Sequence, residues 1–141
     1  MSAEIDALKA ALRPRMRTLR RNLARDLPQA DWMAGEHVEG LLAALKIAAP
    51  GVAAVYHPAG AEFGPAGVAD KLTALGWSLA LPACPAPDAP MVFRAYARGD
   101  ALAPDIVGIL SPTPKAAILR PDLIVAPVLA FDGQGARLGQ G

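Results

Sequence analysis

The alternation of short apolar runs with helical segments is the feature that most constrains how this 141-residue chain folds. Residues 51–56 and 77–81 are apolar runs of strand length, and residues 66–75 between them carry Val68, Leu72 and Leu75 at helical spacing. Gly76 then ends the helix as a C-terminal cap. This strand–helix–strand unit predicts a layered α/β fold with a mainly parallel sheet, in one domain.

The N-terminal segment, residues 3–25, predicts a long helix with one flaw at Pro14. Proline has no N–H, and its ring presses on the carbonyl of residue 10, so we expect the helix to kink or to begin again there. Seven of the fourteen Lys and Arg residues of the chain lie in its first twenty-five positions. The helix is therefore basic.

The other segments are assigned by composition and length. We expect a helix at 31–45 and a strand at 91–97. The apolar residues 122–129 predict a central parallel strand. Proline and glycine predict a loop at 82–90 and mostly turns at 98–120. Residues 131–141 form a polar Gly-rich tail.

The charge, the cysteine content and the apolar runs of the chain bear on its partners and its compartment. A net charge of +1 gives no field suited to nucleic acid as the main partner. The single cysteine, Cys84, cannot form an internal disulfide, and the longest apolar run, 123–131, is too short to span a membrane and contains Pro127. We expect a cytoplasmic protein with no membrane partner.

Ligands of open α/β sheets bind beyond the carboxyl ends of the strands, and this rule selects two loops. One follows residues 51–56 and holds His57 and Glu62. The other follows the apolar run that ends at Leu129 and combines four glycines with Arg137. Glycines let backbone N–H groups converge on an anion, and arginine donates to phosphate oxygens, although a plain flexible turn has the same composition.

Side chains outside these glycines have both a functional and a structural interpretation. Lys9 and Arg13 share a helix face if the helix is intact, and either grip a polyphosphate or face water. The Glu62 carboxylate either orients an amine or formyl group or is merely solvated. Met91 and Phe93, two apart on a strand, either pack on a flat heterocycle or belong to the core. For His57, ligand contact competes with a structural role.

Taken in order, these pieces resemble the 5-formyltetrahydrofolate cyclo-ligases, also called methenyltetrahydrofolate synthetases. The blocks that carry the resemblance are Lys-x-x-Leu-Arg at 9–13, Tyr-His with Glu62, Pro-Met-Val-Phe-Arg at 90–94, Gly-Ile-Leu-Ser-Pro at 108–112, and the run 121–139 that ends in Arg-Leu-Gly. The last block is the most specific of them.

The resemblance implies a three-layer α/β fold and an ATP- and Mg²⁺-dependent conversion of 5-formyltetrahydrofolate to 5,10-methenyltetrahydrofolate. It implies ATP-phosphate contacts for Lys9 and Arg13. It also implies that the nucleotide loop begins with Arg137, Leu138, Gly139, Gln140 and Gly141. Glu62 matches a glutamate near the reacting part of the folate, His57 a substrate contact, and Met91 with Phe93 the strand that walls the folate pocket.

The chain departs from the family pattern at three places. Pro14 adjoins Arg13, and Gln140 stands where the family commonly has Tyr or a basic residue. The family's loop and its metal-binding Asp continue beyond the position of Gly141, so we expect a C-terminally truncated chain without a metal ligand, and a monomer for the complete protein. A non-catalytic folate-binding remnant is the alternative, and an RNA-binding helix ranks last because no aromatic stacking surface accompanies the arginines.

Overall fold

A computed structural model describes residues 2–140, which form two compact units. The first unit contains residues 2–30, Pro58–Phe63 and 127–140, and the second contains Asp31–His57 and Gly64–Ala126. In chain order the helices are α1 (Ser2–Asp26), α2 (Ala30–Met33), α3 (Val38–Ala44) and α4 (Ala66–Ala74), with a 3₁₀ turn at Ala34–His37. The strands are β1 (Val52–Ala54), β2 (Ser78–Ala83), β3 (Val92–Tyr96), β4 (Leu102–Pro104), β5 (Leu110–Pro112), β6 (Ile118–Leu119), β7 (Leu123–Ile124), β8 (Ala130–Phe131) and β9 (Arg137–Leu138).

Helix α1 of the first unit runs without interruption through Pro14. The expectation that the helix begins again at Pro14 is therefore wrong, and Lys9 and Arg13 do share one face of a continuous helix. The half-buried residues of α1 are Arg13, Met16, Arg17 and Arg20, which repeat at the spacing of a single helix face.

The predicted polar tail of the first unit is an ordered hairpin of β8 and β9. Asp132 holds its turn, since one carboxylate oxygen accepts the N–H groups of Gln134 and Ala136 at 2.9 Å each. Gly135 has a φ of 86°, a conformation that favours glycine. Sequence composition indicated flexibility here because it does not reveal that a single aspartate organises the turn.

The second unit is built on a five-stranded sheet with the order β6-β3-β2-β1-β7. β1 pairs in parallel with β2 and β7, whereas β2–β3 and β3–β6 are antiparallel. The α/β class is confirmed, with a mixed sheet. β7 lies at an edge and not in the centre as predicted. Pro121 and Pro127 bound its apolar run and lack the N–H groups that a longer ladder needs.

The core of the second unit packs α3 and α4 on β1 and β2. Leu72 and Leu81 are its largest fully buried side chains, and Trp77 is 5% exposed. The single helix predicted for residues 31–45 is divided into α2, the 3₁₀ turn and α3. A Cβ at Gly35, in the 3₁₀ turn, would meet the backbone of Gly67 in α4, and a Cβ at Gly67 would meet the backbone of Asp31 and Trp32 in α2.

The stretch predicted as turns, residues 98–120, contains the β4–β5 hairpin and β6. Asp105 closes the hairpin, because its carboxylate accepts the N–H groups of Cys84 at 2.9 Å and of Val107 and Ile109 at 3.0 Å. The bond from Cys84, supported by those from Ile109 and Val107, lowers the pKa of Asp105 below its ordinary value. The strands that flank it are too short and too rich in proline for a periodicity to appear in the sequence.

Candidate functional site

The first unit joins the basic helix α1 to the Gly-rich residues 131–140, the glycine segment. Arg13 Nε donates to the carbonyl oxygen of Gly139 at 3.2 Å, across 126 positions of sequence. A guanidinium has five N–H donors, so this bond leaves others for a ligand. Arg13 and Gly139, which the sequence selected separately, therefore meet in the folded chain.

Arg17 is a member of this cluster that sequence reasoning missed. Its Nη2 donates to the carbonyl oxygen of Gln140 at 2.6 Å, and the contact is partly buried. Arg17 follows Arg13 by four residues on an intact helix, and this spacing was the available signal. Two neighbouring arginines thus hold two consecutive carbonyl groups of the glycine segment.

Glu62 lies beside the same segment and is half-buried. One of its carboxylate oxygens, Oε2, accepts the N–H of Ala59 at 2.9 Å, and the other, Oε1, accepts the side-chain Nε2 of Gln140 at 3.3 Å. The loop after β1 and the residues after β9 are therefore connected through a carboxylate. This brings Glu62, predicted for the folate side, next to Gln140, predicted for the nucleotide side.

The other predicted nucleotide residues have varied positions in the first unit. Lys9 is exposed on α1, and Arg137 is exposed on β9. Leu138 is 8% exposed, and its carbonyl accepts the N–H of Leu129 at 2.8 Å, so it supports the hairpin through its own burial. Gly141 lies outside the described residues.

His57, Met91 and Phe93 belong to the second unit. His57 is exposed, Met91 is 57% exposed and precedes β3, and Phe93 is half-buried within β3. A cavity of about 910 Å³ in this unit is lined by α4, by the start of β2 and by the ends of β3 and β6, including Trp77, Tyr96 and Arg98. None of the predicted site residues lines it.

Arg20 completes the half-buried face of α1. Its Nε and Nη1 atoms are covered by the protein and have no hydrogen-bond partner among the described residues. Covered donors without acceptors are unfavourable, so the Arg20 guanidinium lowers the stability of the fold.

The described residues do not form a metal cage. Residues 2–140 contain no group of three or more His, Cys, Asp or Glu side chains placed to hold an ion. The chemistry that the first unit does offer is anion binding by Arg13, Arg17 and the glycine segment, with one carboxylate, Glu62, beside them.

Comparison with known proteins shows which family the chain belongs to. The model of the 5-formyltetrahydrofolate cyclo-ligase family matches residues 5–141. The chain therefore belongs to that family, which confirms the resemblance seen in its sequence. The NMR structure of Aquifex aeolicus 5,10-methenyltetrahydrofolate synthetase is similar, with a TM-score of 0.64 and 25% identity over 95% of this chain and 68% of that chain.

A search of curated proteins gave no match. None of the helices within residues 2–140 has the length and apolar character needed to cross a bilayer.

Proposed function

We propose that this protein converts 5-formyltetrahydrofolate to 5,10-methenyltetrahydrofolate in the cytoplasm, with ATP converted to ADP and phosphate. Family membership supports the ligase class and the folate substrate. The hydrogen bond from Arg13 to Gly139 supports assigning ATP binding to these residues. It joins the cationic helix and the glycine segment into one surface suited to anion binding.

In the proposed reaction the formyl oxygen attacks the γ-phosphorus of ATP, and ADP leaves. The O-phosphorylated iminium that results is attacked by N10 of the folate, which releases its proton to solvent as the new C–N bond closes the ring, and phosphate then carries away the oxygen. Phosphorylation converts a poor leaving group into a good one. The protein contributes positioning and charge neutralisation and no covalent intermediate.

The residues have separate tasks in this scheme. The polyphosphate is bound by Lys9, Arg13, Arg137 and the backbone of the segment 138–141. Glu62 faces the reacting end of the folate, where a carboxylate stabilises the positive charge that develops on the iminium. His57, Met91 and Phe93 contact the folate. Mg²⁺ would come bound to ATP and would neutralise charge on its phosphates, and residues 2–140 offer no cage for an ion of their own.

A spectrophotometric assay of methenyl product, with and without ATP, tests the proposal. Isothermal titrations with ATP, 5-formyltetrahydrofolate and a short RNA accompany it. ATP-dependent product formation is the expected result. Folate binding without ATP binding or turnover would support the non-catalytic alternative, and RNA binding without either ligand would refute both.

A further inference from the structure

We propose that Gln140 is a positioning residue that holds the Glu62 carboxylate for the folate, an inference that rests on the proposed function. The sequence assigned Gln140 only to the nucleotide loop. Its side chain instead donates to Glu62 Oε1 at 3.3 Å, in a partly buried contact.

Both carboxylate oxygens of Glu62 are oriented by neighbours. The N–H of Ala59 fixes Oε2 at 2.9 Å from within the same loop, and the amide of Gln140 fixes Oε1. A half-buried glutamate with a donor on each oxygen loses most of its rotational freedom. Its remaining lone pairs are therefore presented in a defined direction.

The backbone and the side chain of Gln140 have different partners. The carbonyl is held by Arg17 at 2.6 Å, and the side-chain amide extends to Glu62. A substitution that shortens the side chain leaves the carbonyl available to Arg17. The two roles can therefore be separated by mutation at this one position.

The neutrality of Gln140 is also significant. An amide orients a carboxylate by hydrogen bonding but leaves its full negative charge, whereas Lys or Arg at this position pairs with the charge. A carboxylate that stabilises a developing iminium acts through that charge. Gln140 thus holds Glu62 in place without neutralising it.

Kinetics and titration calorimetry of variants at position 140 test this role. We expect Gln140→Ala to raise both the KM and the Kd for 5-formyltetrahydrofolate about fivefold, and to change the KM for ATP by less than about twofold. Gln140→Lys restores a donor and should recover folate affinity, but should lower kcat about fivefold because it pairs with Glu62. Gln134→Ala, in the exposed hairpin turn, is the matched control and should behave as the parent.

A double-mutant cycle supplies the decisive comparison. In a Glu62→Gln background, Gln140→Ala should have little further effect on folate affinity, since the charged acceptor is already gone. Additive effects, or a change confined to the KM for ATP, would overturn the positioning role. Unchanged folate affinity in Gln140→Ala would also overturn it, whatever the turnover. If the parent binds folate and makes no product while Gln140→Ala still weakens binding, only the proposed reaction fails.

Discussion

Replacement of Gly67 by Ala tests the close packing of the second unit. An added Cβ would lie 2.6 Å from the carbonyl oxygens of both Asp31 and Trp32, and 2.7 Å from Trp32 Cα. These are backbone atoms, so no side-chain rotation relieves the overlap. Either α4 or the segment that contains α2 has to move.

The expected cost follows from two opposing effects. Overpacking against an unyielding neighbour costs about 1–3 kcal/mol. Ala in place of Gly in a helix returns roughly 0.5–1 kcal/mol. The cost of the overlap exceeds the gain in helix propensity, so Gly67→Ala should lower the free energy of unfolding by about 1–2 kcal/mol. For a chain of this length, that corresponds to a fall in Tm of roughly 3–7 °C.

Gly40→Ala is the matched control. Gly40 also lies near the beginning of a helix, α3, and a Cβ there meets nothing within 4 Å. It should raise the free energy of unfolding by about 0.5–1 kcal/mol, because only the gain in helix propensity remains. Urea and thermal unfolding, followed by circular dichroism, measure both variants. A Gly67→Ala variant as stable as Gly40→Ala would refute the claim that backbone contact dictates glycine at position 67.

Three further predictions concern single side chains. Arg17→Ala should raise the KM for ATP about fivefold, because the Gln140 carbonyl loses a charged donor, whereas the exposed Arg15→Ala should leave it unchanged in the same kinetic assay. Arg20→Met should raise stability by about 1 kcal/mol in urea unfolding, because it removes covered donors that have no acceptor; a less stable variant would show that Arg20 has a partner in solution. The lowered pKa of Asp105 means that its carboxylate stabilises the fold above the ordinary value of about 3.9, and that this contribution is lost as the pH falls through the native pKa. The difference in Tm between parent and Asp105→Asn should therefore shrink between pH 7 and pH 3, and a constant difference would contradict it.

The sequence predicted the elements whose signal is local. The helix 66–75 with its cap at Gly76, the strand at 91–97 and the short strand after Pro50 lie close to their observed places, because apolar spacing and glycine or proline boundaries determine them. The β4–β5 hairpin and the β8–β9 hairpin were missed. Each depends on one aspartate, Asp105 or Asp132, that accepts several backbone N–H groups, and composition alone does not distinguish such a residue from a solvated one.

The site was predictable as a set of residues and not as a set of contacts. Arg13, Glu62 and Gly139 were selected by residue type and by resemblance, and the structure brings them into one unit. Arg17 was passed over, because its spacing from Arg13 indicates a shared helix face but not which carbonyl its guanidinium will meet. Such pairings depend on the return of the chain from residue 140 to its first helix, a long-range event that local patterns do not record.

The backbone and the side chain of Gln140 have separate partners, and this explains why a departure from the family pattern at position 140 need not weaken the site. A basic residue at position 140 adds charge to the anion-binding surface but also pairs with the neighbouring Glu62. In this chain Arg17 already supplies a cation beside the Gln140 backbone, at 2.6 Å from the carbonyl oxygen. The side chain at position 140 is therefore free of that task and needs only a donor for Glu62. Under the proposed function, α1 supplies positive charge for the phosphates and Glu62 supplies negative charge for the iminium. Because the Gln140 amide is neutral, it orients Glu62 without neutralising that negative charge.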